Sequence, residues 1–76
     1  MTMKFKANLS NVKDVKEFVA LANRLPNIVK VSHGLFTVNG KSLLGLFSLD
    51  LSYDVDVEVI GDVNEAFRYE LEAFSA

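Results

Sequence analysis

Met3, Phe5, Ala7 and Leu9 alternate with Lys4, Lys6 and Asn8 at the start of this chain. That is the period of two shown by a strand with one buried and one wet face. Val15, Phe18, Val19, Ala22 and Leu25 then recur at steps of three and four, which predicts a helix of three to four turns. Ser10-Asn11 offers caps before it and Pro26 a breaker after it. Ile28 to Ser32 is short and β-branched, His33-Gly34 supplies turn chemistry, and Leu35 to Val38 returns before Asn39-Gly40. These segments read as a tight pair of strands. A second, short helix opens at Ser42. Val55, Val57 and Val59 alternate with Asp54, Asp56 and Glu58 to give a last strand, whose acidic row reads as solvated surface. After Gly61-Asp62, the positions Val63, Ala66, Phe67, Leu71 and Phe74 form the apolar stripe of a closing helix.

The predicted order is β-α-β-β-α-β-α, an α+β domain. Three helices each need somewhere to bury a stripe, and a four-stranded, antiparallel-rich sheet with all of them on one face provides it, an open-faced β-sandwich. With 76 residues, residues 1–76 read as a single domain without linker, repeat or low-complexity tract. A chain this short buries only about 60% of its unfolded surface, which leaves no interior room for a large cofactor, and none is expected.

Composition removes several function classes. The chain has no cysteine and one histidine, His33, so neither a disulfide scaffold nor a zinc site is expected. No apolar run approaches the roughly 20 residues needed to span a bilayer, and the N-terminal segment lacks a signal-peptide core. A soluble, cytoplasmic protein with no membrane association is the expectation. The net charge of −2 gives no pull toward phosphate backbones, so nucleic acid is not an expected partner. The carboxylates fall on predicted solvent faces rather than in a shared pocket, and Gly40-Lys41-Ser42 lacks the upstream glycine of a P-loop. The chain is not expected to be an enzyme.

The segment Lys41-Ser42-Leu43-Leu44-Gly45-Leu46-Phe47-Ser48-Leu49 resembles the regulatory segment of HPr, the phosphocarrier protein of the bacterial sugar phosphotransferase system. The family's motif reads Lys-Ser-Ile-Met-Gly-Val-Met-Ser-Leu, and every change here exchanges one hydrophobe for another. The likeness extends without insertion back to the first helix and, more loosely, forward through Tyr53 to Phe74. It implies an HPr-like fold. It also implies that Ser42 matches the serine that a bifunctional kinase/phosphorylase modifies in many members, whose product binds a catabolite-control repressor.

At the family's other site the sequence departs from the pattern. HPr takes a phosphoryl group from Enzyme I on a histidine in a Gly-(Leu/Ile)-His-X-Arg-Pro motif; this chain has Leu9-Ser10-Asn11-Val12-Lys13-Asp14. Asn11 therefore stands at the phosphohistidine position and Lys13 at that of the arginine. An amide nitrogen is no nucleophile, since its lone pair is delocalised into the carbonyl. Lys13 keeps the charge without the planar fork, and Asp14 adds negative charge where a phosphate would otherwise be welcome. The plainer roles are an N-cap for Asn11 and a first-turn carboxylate for Asp14.

The expected function is thus a regulatory or protein-interaction domain related to the phosphotransferase system, without histidine phosphocarrier chemistry. Ser42 is its candidate phosphorylation site and, more simply, a helix cap. Lys41, Leu43, Leu44 and Phe47 form its candidate docking surface, for a protein partner such as an HPr kinase or a transcriptional regulator. A helix this short cannot bury leucine and phenylalanine on every side; the bland alternative turns Leu46, Leu49 and Leu51 inward and leaves one or two residues exposed. Two other readings stand beside this one. One is a true phosphotransferase component, phosphorylated at an unconventional position such as His33 or only at Ser42. The other is a structural domain, otherwise a monomer, that dimerises weakly through the Ser42 helix.

Overall fold

The computed structural model describes residues 2–76. β1 (Met3–Ala7) is followed by α1 (Val12–Arg24), β2 (Val29–His33), β3 (Phe36–Asn39), α2 (Leu43–Phe47), β4 (Val55–Val59) and α3 (Glu65–Glu72), which is the predicted order. The strands form one sheet in the order β1-β4-β2-β3. Every pairing is antiparallel, with Phe5 opposite Val57, Val31 opposite Val57 and Val31 opposite Val38. The fold is an α+β open-faced sandwich.

Alternation decides which face is covered. Met3, Ala7, Val29, Val31, Val55, Val57 and Val59 are buried beneath the helices together with Val15, Phe18, Ala22, Leu46 and Leu71. The opposite face carries Lys4, Lys6, Lys30, Ser32, Thr37, Asp56 and Glu58. On that face Lys6 meets Asp56 at 2.9 Å and Lys4 meets Glu58 at 3.9 Å. The acidic row faces solvent as read, and Asp56 and Glu58 within it also meet the lysines of β1, at the small energy typical of exposed pairs. α1 touches both α2 and α3, so it lies between them. Arg24 bridges α1 to α3 at the surface, with its guanidinium 5.3 Å from the Phe67 ring centre and 3.1 Å from Glu70.

Several boundaries move for physical reasons. β1 stops at Ala7, although Leu9 beyond it is buried. The α1 stripe includes Leu21, absent from the predicted set, while Val19 is only half-buried and Leu25 is the C-cap. Ile28, predicted to open β2, is exposed, because Val29 and Val31 face the core and residues alternate across the sheet. His33 is the last residue of β2 rather than a turn residue, and Leu35 is not in β3 but in the turn. Gly34 has φ +60° and Leu35 does not have positive φ, so the two-residue loop fits a II′ hairpin, which needs glycine at its first central position. In the last helix Val63 precedes the Asn64 cap, Phe74 follows the helix, and Ala66 is exposed. Phe67 and Leu71, four residues apart, define its inward line instead.

The two sheet edges end differently. The C-terminal segment runs along β1: the Asn8 N–H donates to the Phe74 carbonyl and the Ala76 N–H to the Lys6 carbonyl, each at 2.9 Å. Phe74 then packs edge-on against Phe18, with ring centres 5.5 Å apart. β3 is the other edge.

Candidate functional site

At the start of α1, Asn11 has the extended backbone of an N-cap, and its Oδ1 accepts from the Asp14 N–H at 2.8 Å. Its Nδ2 donates to Asp14 Oδ2 at 2.9 Å. This reciprocal closure follows the logic of a capping box, with the side-chain amide and the first-turn carboxylate fixing one another. Upstream, the Ser10 N–H donates to Asn8 Oδ1 at 3.1 Å, which turns the chain out of β1. Lys13 is exposed on the first turn.

α2 begins with the same device in simpler form. Ser42 is extended, and its Oγ accepts from the Gly45 N–H at 2.9 Å. No acidic residue lies in the first turn of α2. Gly45 fits because a Cβ there would lie 3.2 Å from both Cβ and Oγ of Ser42 and 3.4 Å from Cβ of Val38. The entry into α2 is held just as closely: a Cβ on Gly40 would come within 2.5 Å of Val29.

The candidate docking residues divide into two groups. Lys41 is tied inward, with its ammonium donating to the Leu25 carbonyl at 2.7 Å and its own carbonyl accepting from Asn23 Nδ2 at 3.0 Å. Its charge thus sits at the C-terminus of α1, where a cation is favoured. Leu43 is half-buried and packs on the core. Leu44 and Phe47 remain outside, 83% and 45% exposed, one turn apart on one side of α2. Leu46 and Leu49 are buried and Leu51 is half-buried, so the α2 segment exposes only two of its large hydrophobes.

The fold does not bring Asn11 and Ser42 together. Asn11 opens α1, whereas Ser42 follows a residue bonded to Leu25 at the helix's far end. The thirteen residues of α1 separate them, at a rise of about 1.5 Å per residue. Asn11 and Lys13 share one turn, and Ser42, Leu44 and Phe47 share one short helix.

A third group joins His33, considered only as an unconventional phosphorylation site, to residues that were not among the candidates. Ala7 pairs with Val55 and Ser32 with Asp56, so the hairpin turn and the loop between α2 and β4 lie at the same end of the sheet as Asn11. There His33 stacks on Tyr53, with rings 5.5 Å apart and 8° from parallel. Asp50 is held below the usual carboxylate range, first by the Ser52 hydroxyl, then by the Ser52 N–H and, more weakly, by the charge of His33. Leu35 and Phe36 are almost free in solvent beside them, at 99% and 72% exposure. The only sequence signal for this cluster was an apolar residue directly after a turn glycine, where polar residues are usual. Among the described residues no group of three His, Asp or Glu side chains is placed to hold a metal, and no helix is long and apolar enough to cross a membrane.

No protein-family model matches the sequence, and no curated protein matches it. Solved structures do match the fold. A phosphocarrier protein HPr from Bacillus anthracis str. Ames superposes with TM-score 0.73 at 23% identity, covering 100% of this chain and 96% of that one. HPr-C-His from Thermoanaerobacter tengcongensis gives TM-score 0.68 at 25% identity, over 96% of this chain and 85% of that one. This chain has an HPr-like fold.

Proposed function

We propose that this chain is a regulatory, protein-docking domain of HPr type that carries no phosphoryl group at the start of α1. The observation that carries this reading is the closed Asn11–Asp14 cap. Both ends of the Asn11 amide are bonded to Asp14, the amide nitrogen is not basic, and the adjacent carboxylate repels a phosphoryl donor. Lys13 supplies charge there without a nucleophile beside it.

Ser42 is the modification site in this reading. Its hydroxyl already accepts from Gly45, phosphate oxygens accept from the same N–H group, and no first-turn carboxylate opposes a charge of about −2. A kinase of the HPr-serine type is the modifying partner. Leu44 and Phe47, exposed next to Ser42, provide the apolar contact for that kinase or for a transcriptional regulator that reads the phosphate.

The test is the intact mass of the chain after incubation with ATP and an HPr serine kinase, and separately with phosphoenolpyruvate and Enzyme I. The expected result is one phosphate from ATP, absent in Ser42→Ala, and none from phosphoenolpyruvate. An acid-labile phosphate from phosphoenolpyruvate would overturn the reading in favour of a carrier. No gain from ATP would remove Ser42 from it.

A further inference from the structure

The two edges of the sheet are unequal, and the difference follows from hydrogen-bond parity. The Gly40 N–H donates to the Val29 carbonyl and the Ile60 N–H to the Ile28 carbonyl. Given the registers Lys30–Asn39 and Lys30–Glu58, odd residues of β2 bond to β3 and even ones to β4. The backbones of Phe36 and Val38 therefore face β2, while those of Thr37 and Asn39 face away. The Asn39 carbonyl is taken by the Ser42 N–H at 3.0 Å. Thr37 is left with an outward donor and an outward acceptor on a strand that holds neither charge nor proline, two devices by which edges are usually protected.

We infer that two copies of this chain pair antiparallel along β3, centred on Thr37, joining two four-stranded sheets into one. In that register each Thr37 N–H donates to the Thr37 carbonyl of the other copy, and Phe36 lies opposite Val38. Phe36 and Val38 share the helix-side face by alternation, since Thr37 lies on the open face. The exposed Phe36 ring then covers the half-buried Val38 and the flank of α2 on the other copy. Gly45 backs onto Val38 and Leu46 faces the core, which leaves Leu44 on the outer side of α2 to meet its counterpart across the twofold axis. The interface is isologous and closes at two copies.

Its size sets its strength. Phe36 and Leu44, at their observed exposures, offer roughly 300 Å² of apolar surface per copy when a large side chain counts for about 200 Å². A standard interface takes about 800 Å² per partner, so with the strand backbone added this one is of the weak, concentration-dependent class. The inference goes beyond the docking function proposed above and competes with it, because Leu44 cannot serve a second copy and a foreign partner at once.

Sedimentation equilibrium of the full chain from roughly 5 μM to roughly 1 mM, the span of weak association, tests the dimer. The average mass is expected to rise from 8.4 kDa toward twice that value. Thr37→Pro, which removes an outward donor and no hydrogen bond of the chain's own sheet, and Leu44→Lys should each weaken association at least about tenfold, near 1.4 kcal/mol. A mass fixed at the monomer value across the range overturns the inference, and so does a dimer that Thr37→Pro leaves intact. Should Thr37→Pro fail to fold, amide exchange in the unaltered chain decides. Protection of the Thr37 N–H that grows with concentration supports the pairing, and protection independent of concentration overturns it.

Discussion

The starts of α1 and α2 are built from the same part and differ in their first-turn charge. Each has an extended cap residue whose side-chain oxygen accepts from the N–H three positions on, Asn11 from Asp14 and Ser42 from Gly45. At α1 the cap's donor is also satisfied, by the Asp14 carboxylate, and the helix dipole is met from within the chain. At α2 the third position is a glycine and no carboxylate follows, so nothing internal answers the N-terminal charge except a hydroxyl. One terminus is complete as folded, and the other leaves an anion favourable by about 0.3–1 kcal/mol. This contrast is the physical support for the proposal that Ser42 rather than Asn11 would take a phosphate.

The largest effect should come from removing the caps. Asn11→Ala loses a cap and orphans Asp14, and should lower stability by about 1–2 kcal/mol; Ser42→Ala, at the start of a five-residue helix, should cost about 0.5–1 kcal/mol. Urea unfolding of both variants measures the difference, and an equal cost would erase it.

The sharper trial places a carboxylate on each cap. Asn11→Asp sets like charges side by side and removes the Nδ2 donor, so it should destabilise by about 1 kcal/mol and recover partly in high salt. Ser42→Asp should stay within about 0.5 kcal/mol of the parent, because aspartate caps as well as serine does. Comparable losses at both positions would mean that the missing first-turn carboxylate does not matter.

Gly45→Ala probes how tightly the Ser42 cap is built. An exposed helical glycine replaced by alanine ordinarily gains about 1 kcal/mol. Here the new methyl presses on Ser42 and Val38, so thermal melting should show no gain.

The smallest effect lies past the end of α2. Asp50 has its pKa depressed by Ser52, so this carboxylate contributes stability above its unfolded pKa and loses it as pH falls through the lower folded value. Ser52→Ala should move the Asp50 titration, followed by carboxyl-carbon NMR, up toward the ordinary range while leaving both caps unchanged.

Much of this architecture was legible because its patterns are local. Met3-Lys4-Phe5-Lys6-Ala7 and Val55-Asp56-Val57-Glu58-Val59 each sit with one side on the helices and one in water, so their alternation survives in the sequence. Ser42 was recognisable as a cap from its place in the Lys41–Leu49 segment, and Asn11 from its place before the first helical stripe. Other positions failed where a local rule met a distant neighbour. Ile28 has the composition of a buried strand residue, yet the register of Val29 against Val59 turns it outward. Lys41 reads as a surface cation, but the end of α1 lies close enough to claim its ammonium. Leu35, Phe36 and the His33–Tyr53 stack carry no periodic signal, since they lie where two loops meet.

The sequence by itself determined the order and kind of the elements and the caps of α1 and α2, because these depend on residues within a turn of one another. Only the tertiary structure decided that Leu44 and Phe47 stay outside while Leu43 does not, that the C-terminal residues cover β1, and that β3 is left open. Those outcomes depend on which strand lies beside which, and strand order is set by burying a shared core across residues far apart in the chain.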